Sequence, residues 1–87
     1  MRVKYDERAD ALYIYVNSSL EFGFTIALDE NRMVDVDPDG RVIGIEVLSP
    51  SVGFQLGDVI ERFDLEPMRG VLESIARRHY QPAASKR

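Results

Sequence analysis

The sequence has no cysteine, no tryptophan and one histidine, and its apolar runs are short. Without cysteine there are no disulfide staples, no thiol catalysis, no Cys-ligated zinc and no iron–sulfur chemistry, which fits a reducing compartment. Runs this short exclude a membrane-spanning helix. The start Met1-Arg2-Val3-Lys4-Tyr5-Asp6 lacks the apolar stretch of a secretory signal, so the expected location is the cytoplasm. The lone His79 follows Arg77 and Arg78 at the end of a helical pattern. A cation suits the helix dipole there, and the residue reads as a surface position rather than a base or a metal ligand. None of the serines sits in a nucleophile elbow, and Gly53 and Gly57 lack the spacing of a phosphate-binding loop or a dinucleotide fingerprint. No catalytic residue and no cofactor is nominated, and the expectation is a protein that is not an enzyme.

What is present is 87 residues with 11 basic and 15 acidic side chains and about 45% apolar residues, the balance of one globular domain. The charge is unevenly placed. Residues 1–66 carry six basic and fourteen acidic side chains, whereas residues 67–87 carry five basic and one acidic. A body at net −8 repels nucleic-acid backbones and suits a basic protein partner. A core this small also gains from burying a spare apolar face in a homodimer.

Short β-branched and aromatic runs separated by turn residues predict five strands, over 3–5, 11–16, 21–28, 33–36 and 41–48. Alternation in the second places Leu12, Ile14 and Val16 on one face and Tyr13 and Tyr15 on the other. In the third it gathers Phe22, Phe24, Ile26 and Leu28, and in the fifth Ile43, Ile45 and Val47. Asp37-Pro38-Asp39-Gly40 reads as a bulged type I hairpin turn, with Pro38 supplying a fixed φ and Gly40 a positive one. After Ser49-Pro50-Ser51 the period becomes helical. A short helix is expected from Leu56 or Gly57 to Phe63. A longer one follows from Pro67 to His79, capped by Asp64 or Glu66 and striped by Met68, Val71, Leu72, Ile75 and Ala76. Fraying is expected beyond residue 82.

Two patterns carry possible chemistry. Asp35, Asp37, Asp39 and Glu46 match the spacing of an EF-hand loop, whose carboxylates would bind calcium. That loop needs flanking helices, whereas the residues here lie in a strand–turn–strand pattern, so the hairpin reading is preferred and no metal ligand is assigned. Tyr5, Tyr13, Tyr15 and Tyr80 suggest a stacking platform. Tyrosines are also common on strands and at packing surfaces, so Tyr13 and Tyr15 are instead expected to mark a partner interface. Arg69, Arg77 and Arg78 read as a solvated cationic helix face, and nucleic acid is not expected.

Tyr5-Asp6-Glu7-Arg8-Ala9-Asp10-Ala11-Leu12-Tyr13-Ile14, followed by Val34-Asp35-Val36-Asp37-Pro38-Asp39-Gly40-Arg41-Val42-Ile43-Gly44-Ile45-Glu46-Val47-Leu48, resembles the small prokaryotic domain of unknown function family 2283. The resemblance spans residues 2 to about 51. It implies a small β-sheet domain with no assigned catalytic residue, of a kind considered an antitoxin-like partner encoded beside small basic proteins. The combined expectation is an α+β fold: an antiparallel β-meander of about five strands over 2–48, a connecting segment over 49–64, and an amphipathic helix over 65–79 packed on one face. Residues 1–81 form the domain and 82–87 a flexible tail. The expected function is a protein-interaction module, homodimeric through the other sheet face and antitoxin-like toward a basic partner.

Overall fold

The computed structural model describes residues 1–82, so the tail expected over 82–87 lies, beyond Pro82, outside the described residues. The chain divides into two compact units, one over Met1–Ser49 and one beginning at Pro50.

The first unit is a single five-stranded sheet. Its strands are β1 (Arg2–Asp6), β2 (Ala11–Tyr15), β3 (Phe24–Ala27), β4 (Arg32–Val36) and β5 (Val42–Leu48), in the order β1-β2-β5-β4-β3 with every neighbouring pair antiparallel. Three tight turns join β1 to β2, β3 to β4 and β4 to β5. Residues 16–23 carry the chain from β2 to the far edge, so the last strand in the sequence is the central one. Where this connection leaves β2, the N–H groups of Val16 and Asn17 both donate to the Ile43 carbonyl, at 2.9 Å each.

Period-two alternation gives the sheet an inner and an outer face. The inner face holds Leu12, Ile14, Val34, Val36, Val42, Ile45 and Val47, all buried. Ile43 is not among them. The β4–β5 register passes from Asp35 opposite Gly44 to Val36 opposite Val42, which leaves Ile43 as the extra residue of a β-bulge. The bulge shifts the parity of β5 by one, so Val42 takes the inner position that strict alternation assigned to Ile43. The third strand also departs from expectation. It is shorter than 21–28, and as an edge strand it leaves Phe22 62% and Phe24 48% exposed.

The β4–β5 turn is as expected. The Gly40 N–H donates to the Asp37 carbonyl at 2.9 Å, Gly40 has φ +86°, and the Asp37 N–H closes onto the Arg41 carbonyl at 2.9 Å. This is a type I turn followed by a left-handed residue, the usual form of a three-residue hairpin loop.

The second unit contains a 3-10 turn at Pro50–Val52, α1 (Gly57–Arg62), a 3-10 turn at Glu66–Met68 and α2 (Arg69–His79). Helix α1 ends with Asp64 in the left-handed region and the Leu65 N–H on the Ile60 carbonyl, the six-to-one bond of a Schellman ending. Neither Asp64 nor Glu66 caps α2. Its N-cap is Met68, without a side-chain bond, and Glu66 pairs with Arg69 instead. Leu72 and Ile75 of the expected stripe are buried, whereas Val71 is exposed. Among the described residues no helix is long and apolar enough to cross a membrane.

The bulge makes a quantitative prediction. Ile45→Ala empties a fully buried site on the central strand and is expected to cost about 2–5 kcal/mol in urea unfolding. Ile43→Ala, one bulge away and only half buried, is expected to cost less than about 1 kcal/mol. Equal losses would mean that β5 runs without a bulge.

Candidate functional site

The outer face of the sheet carries the most organised set of polar side chains. Tyr13 and Tyr15 project from β2, Gly44 and Glu46 from β5, Met33 and Asp35 from β4, and Thr25 from β3. The pairings Tyr13–Glu46, Tyr15–Gly44, Asp35–Gly44 and Thr25–Asp35 place them in adjoining rows. The Tyr13 hydroxyl donates to Asp35 Oδ2 at 2.8 Å, and Thr25 Oγ1 donates to Asp35 Oδ1 at 2.6 Å. One carboxylate thus ties β2 to β3 across the two strands between them.

The diagonal reach of Tyr13 explains Gly44. A Cβ at position 44 would overlap the hydroxyl and ring of Tyr13, so the central strand must be bare where the phenol crosses it. Partial burial, then the Asp35 carboxylate, pushes the Tyr13 phenol well above its ordinary pKa, so it remains a donor throughout the neutral range. Tyr15 meets the Tyr13 ring edge-on, with centroids 4.7 Å apart, and the Arg2 guanidinium lies over the Tyr15 ring at 4.1 Å. A shallow recess of about 150 Å³ opens beside Tyr13, lined by Lys4, Asp6, Ala11, Leu12 and Glu46 as well.

The four residues of the EF-hand spacing have separate surroundings. Asp35 is held by Tyr13 and Thr25, and Glu46 lies opposite Tyr13 and Met33. Asp37 is 2% exposed and serves as the anchor of the turn. Its Oδ1 accepts the N–H groups of Asp39 (3.0 Å) and Arg41 (2.7 Å), and its Oδ2 accepts Arg41 Nε (2.8 Å) and Nη2 (2.7 Å). Asp39 is exposed at the tip, 4.0 Å from Arg41. Strands rather than helices flank the loop. Among the described residues no group of three or more histidine, aspartate or glutamate side chains is placed to hold a metal ion.

The tyrosines do not form one platform either. Tyr5 lies opposite Leu12, on the inner side of β1, and donates to Asp10 Oδ1 at 2.8 Å, while Tyr80 belongs to the second unit. Tyr13 and Tyr15 meet on the outer face. In the second unit Arg69 is clamped between Glu66 (2.6 Å) and Glu73 (3.1 Å), so the cationic face expected on α2 is partly neutralised. His79 Nδ1 lies 3.0 Å from the Ile75 carbonyl and donates to it. An open groove of about 440 Å³ runs past Val52, Gly53, Phe54, Ala76, Arg77 and Tyr80.

Sequence reasoning put Tyr13 and Tyr15 on one face of β2, where the structure has them, but missed the Asp35–Thr25 part of the network and the Arg2 contact. The available signal was Gly44, a glycine inside an otherwise β-branched strand, which marks a close approach.

A five-stranded antiparallel sheet with one buried face and one tyrosine–carboxylate face, followed by helices, defines a small α+β protein. The chain belongs to the family described as Protein of unknown function (DUF2283), whose model matches residues 2–51, a span that includes all five strands. No curated protein and no solved structure matches the chain.

Two predictions follow the two anchors. Gly44→Ala forces the Tyr13 ring off the sheet and is expected to cost about 1–3 kcal/mol. In a Tyr13→Ala background the same change should be neutral or stabilising, because a strand prefers alanine to glycine. A double-mutant cycle by chemical denaturation measures the difference. For Asp37, burial raises the carboxyl pKa, but the Arg41 hydrogen bonds and charge outweigh it and hold the group below the ordinary aspartate range. Its contribution is therefore complete above about pH 4 and is lost as the pH falls through the lowered value. Wild type is expected to be more stable than Asp37→Asn at pH 7, with the gap closing at low pH; a gap that stays constant would contradict the assignment.

Proposed function

We propose that this protein is a non-enzymatic interaction module of the cytoplasm whose outer sheet face holds a basic protein partner and, by covering it, inhibits it in the manner of an antitoxin. The observation that carries this reading is the prepared state of that face. Tyr13 is fixed by Asp35, Tyr15 by Tyr13 and Arg2, and Asp35 by two donors. Aromatic side chains that are already immobilised lose little conformational entropy when a partner covers them, which is how a small surface reaches useful affinity. Half-buried Met33 and Leu48 supply apolar area around them, and Glu46 supplies negative charge.

Long-range charge favours the same class of partner. Residues 1–66 carry net −8, which draws a basic chain toward the protein. The carboxylates in the strongest contacts are committed to structural donors: both oxygens of Asp35 and of Asp37 accept hydrogen bonds within the sheet unit. That supports recognition over acid–base chemistry.

The test is affinity capture from the source cells with wild type and with a Tyr15→Asp, Met33→Glu double variant. A stoichiometric basic protein retained at low salt, released by about 0.5 M salt and absent with the variant is the expected result, since the Debye length there is only a few ångströms. A partner held equally by the variant, or indifferent to salt, would overturn the proposal.

A further inference from the structure

The two open edges of the sheet are built differently. Edge strand β1 presents the charged residues Arg2, Lys4 and Asp6, the kind of residue that keeps an edge from pairing with another chain. Edge strand β3 has no such guard. From Phe22 to Leu28 the sequence is Phe-Gly-Phe-Thr-Ile-Ala-Leu, without a charge or a proline, and Phe22 and Phe24 are largely exposed beside the open side.

The hydrogen-bond pattern fixes what β3 offers. Leu28 N–H donates to the Arg32 carbonyl at 2.9 Å, and the register continues as Ile26 opposite Val34 and Phe24 opposite Val36. Bonded positions alternate along an antiparallel pair, so the even-numbered residues bond to β4 while the N–H and C=O groups of Thr25 and Ala27 point to the open side.

We infer that β3 is the docking edge for a second copy of this chain, pairing antiparallel to itself about a two-fold axis at Ile26. In that register Thr25 of each copy lies opposite Ala27 of the other, and the outward groups meet in two reciprocal pairs, four hydrogen bonds in all. Ile26 faces its own counterpart, and Phe24 faces Leu28, on the side of the sheet that carries Val34 and Val36. Hydrogen bonding selects this register over its two neighbours. Pairing about Thr25 would set Ala27 against Gly23, whose N–H already donates to the Val36 carbonyl, and pairing about Ala27 would set Thr25 against Asp29, whose N–H donates to the Arg32 carbonyl. Only pairing about Ile26 uses the outward groups of Thr25 and Ala27 on both copies. The product is a continuous ten-stranded sheet whose outer edges are the guarded β1 strands, so assembly stops at two. The tyrosine face remains open, and this inference stands independently of the proposed partner.

The absence of cysteine makes the register directly testable on the full chain. Paired residues at a non-hydrogen-bonded position have Cα atoms about 4.5 Å apart, within disulfide range. Ile26→Cys is therefore expected to oxidise to a covalent dimer, whereas Thr25→Cys, two positions out of step with itself, is not. Sedimentation velocity should show a wild-type dimer. Ala27→Pro removes an outward donor at a tolerated edge position, and Phe24→Lys adds charge at the apolar pairing; each should weaken dimerisation by at least about tenfold. Both variants should still unfold cooperatively, which separates lost pairing from lost folding. A wild-type monomer at about 0.1 mM, a dimer unaffected by both substitutions, or cross-linking through Thr25→Cys rather than Ile26→Cys would each overturn the inference. The first of these would return the edge to an extended segment of some other chain.

Discussion

The geometry of the sheet unit depends on the carboxylate of Asp37, buried at the tip of the β4–β5 hairpin. It gathers the Arg41 N–H and guanidinium and the Asp39 N–H around one side chain, and so closes the turn in a single way. A closed turn fixes where β5 begins, and one residue of slip in a strand exchanges its two faces. The bulge at Ile43 then restores the inner register within two residues of the turn, so that Ile45 and Val47 point inward while Gly44 and Glu46 point outward. Since β5 pairs with β2 on one side and β4 on the other, an error there would propagate to every other strand.

The outer face inherits this order. Gly44 is under Tyr13 only because the bulge put it on the outer side, and Asp35 receives the Tyr13 hydroxyl only because Asp35 is opposite Gly44. Thr25 completes the chain of contacts from the β3 side. Surfaces organised this way lose little when bound, whereas a lone tyrosine on a strand must first be ordered.

Much of the fold could be read from local pattern. Strand positions followed from alternation, the tight hairpin from Asp37-Pro38-Asp39-Gly40, and the helices from the change of period after Ser51, because each is set by residues near one another in the chain. What escaped depends on distant neighbours. Ile43 looks like a core residue until β4 is alongside, and Phe22 and Phe24 look buried until β3 is known to be an edge. The capping of α2 was misread because Glu66 has a better partner in Arg69. The residues that carry the family resemblance prove to be architectural ones. Tyr5 bonds Asp10, Asp6 accepts the N–H groups of Arg8 and Ala9, Gly40 turns the chain, Arg41 holds Asp37, and Gly44 admits Tyr13. A signature of this kind transmits a fold far more readily than an activity.

The central position of the last strand also governs how the sheet can assemble. The β1–β2 hairpin and the β3–β4 hairpin share no hydrogen-bonded neighbour until β5 is placed between them. During synthesis the first hairpin therefore waits through about thirty further residues with one side unpaired, and an isolated two-stranded hairpin is only marginally stable in water. Joining the halves is a non-local step, and closing such loops slows folding. The nascent chain thus passes its most exposed stage just before Val42–Leu48 becomes available, and the sheet closes last at its middle.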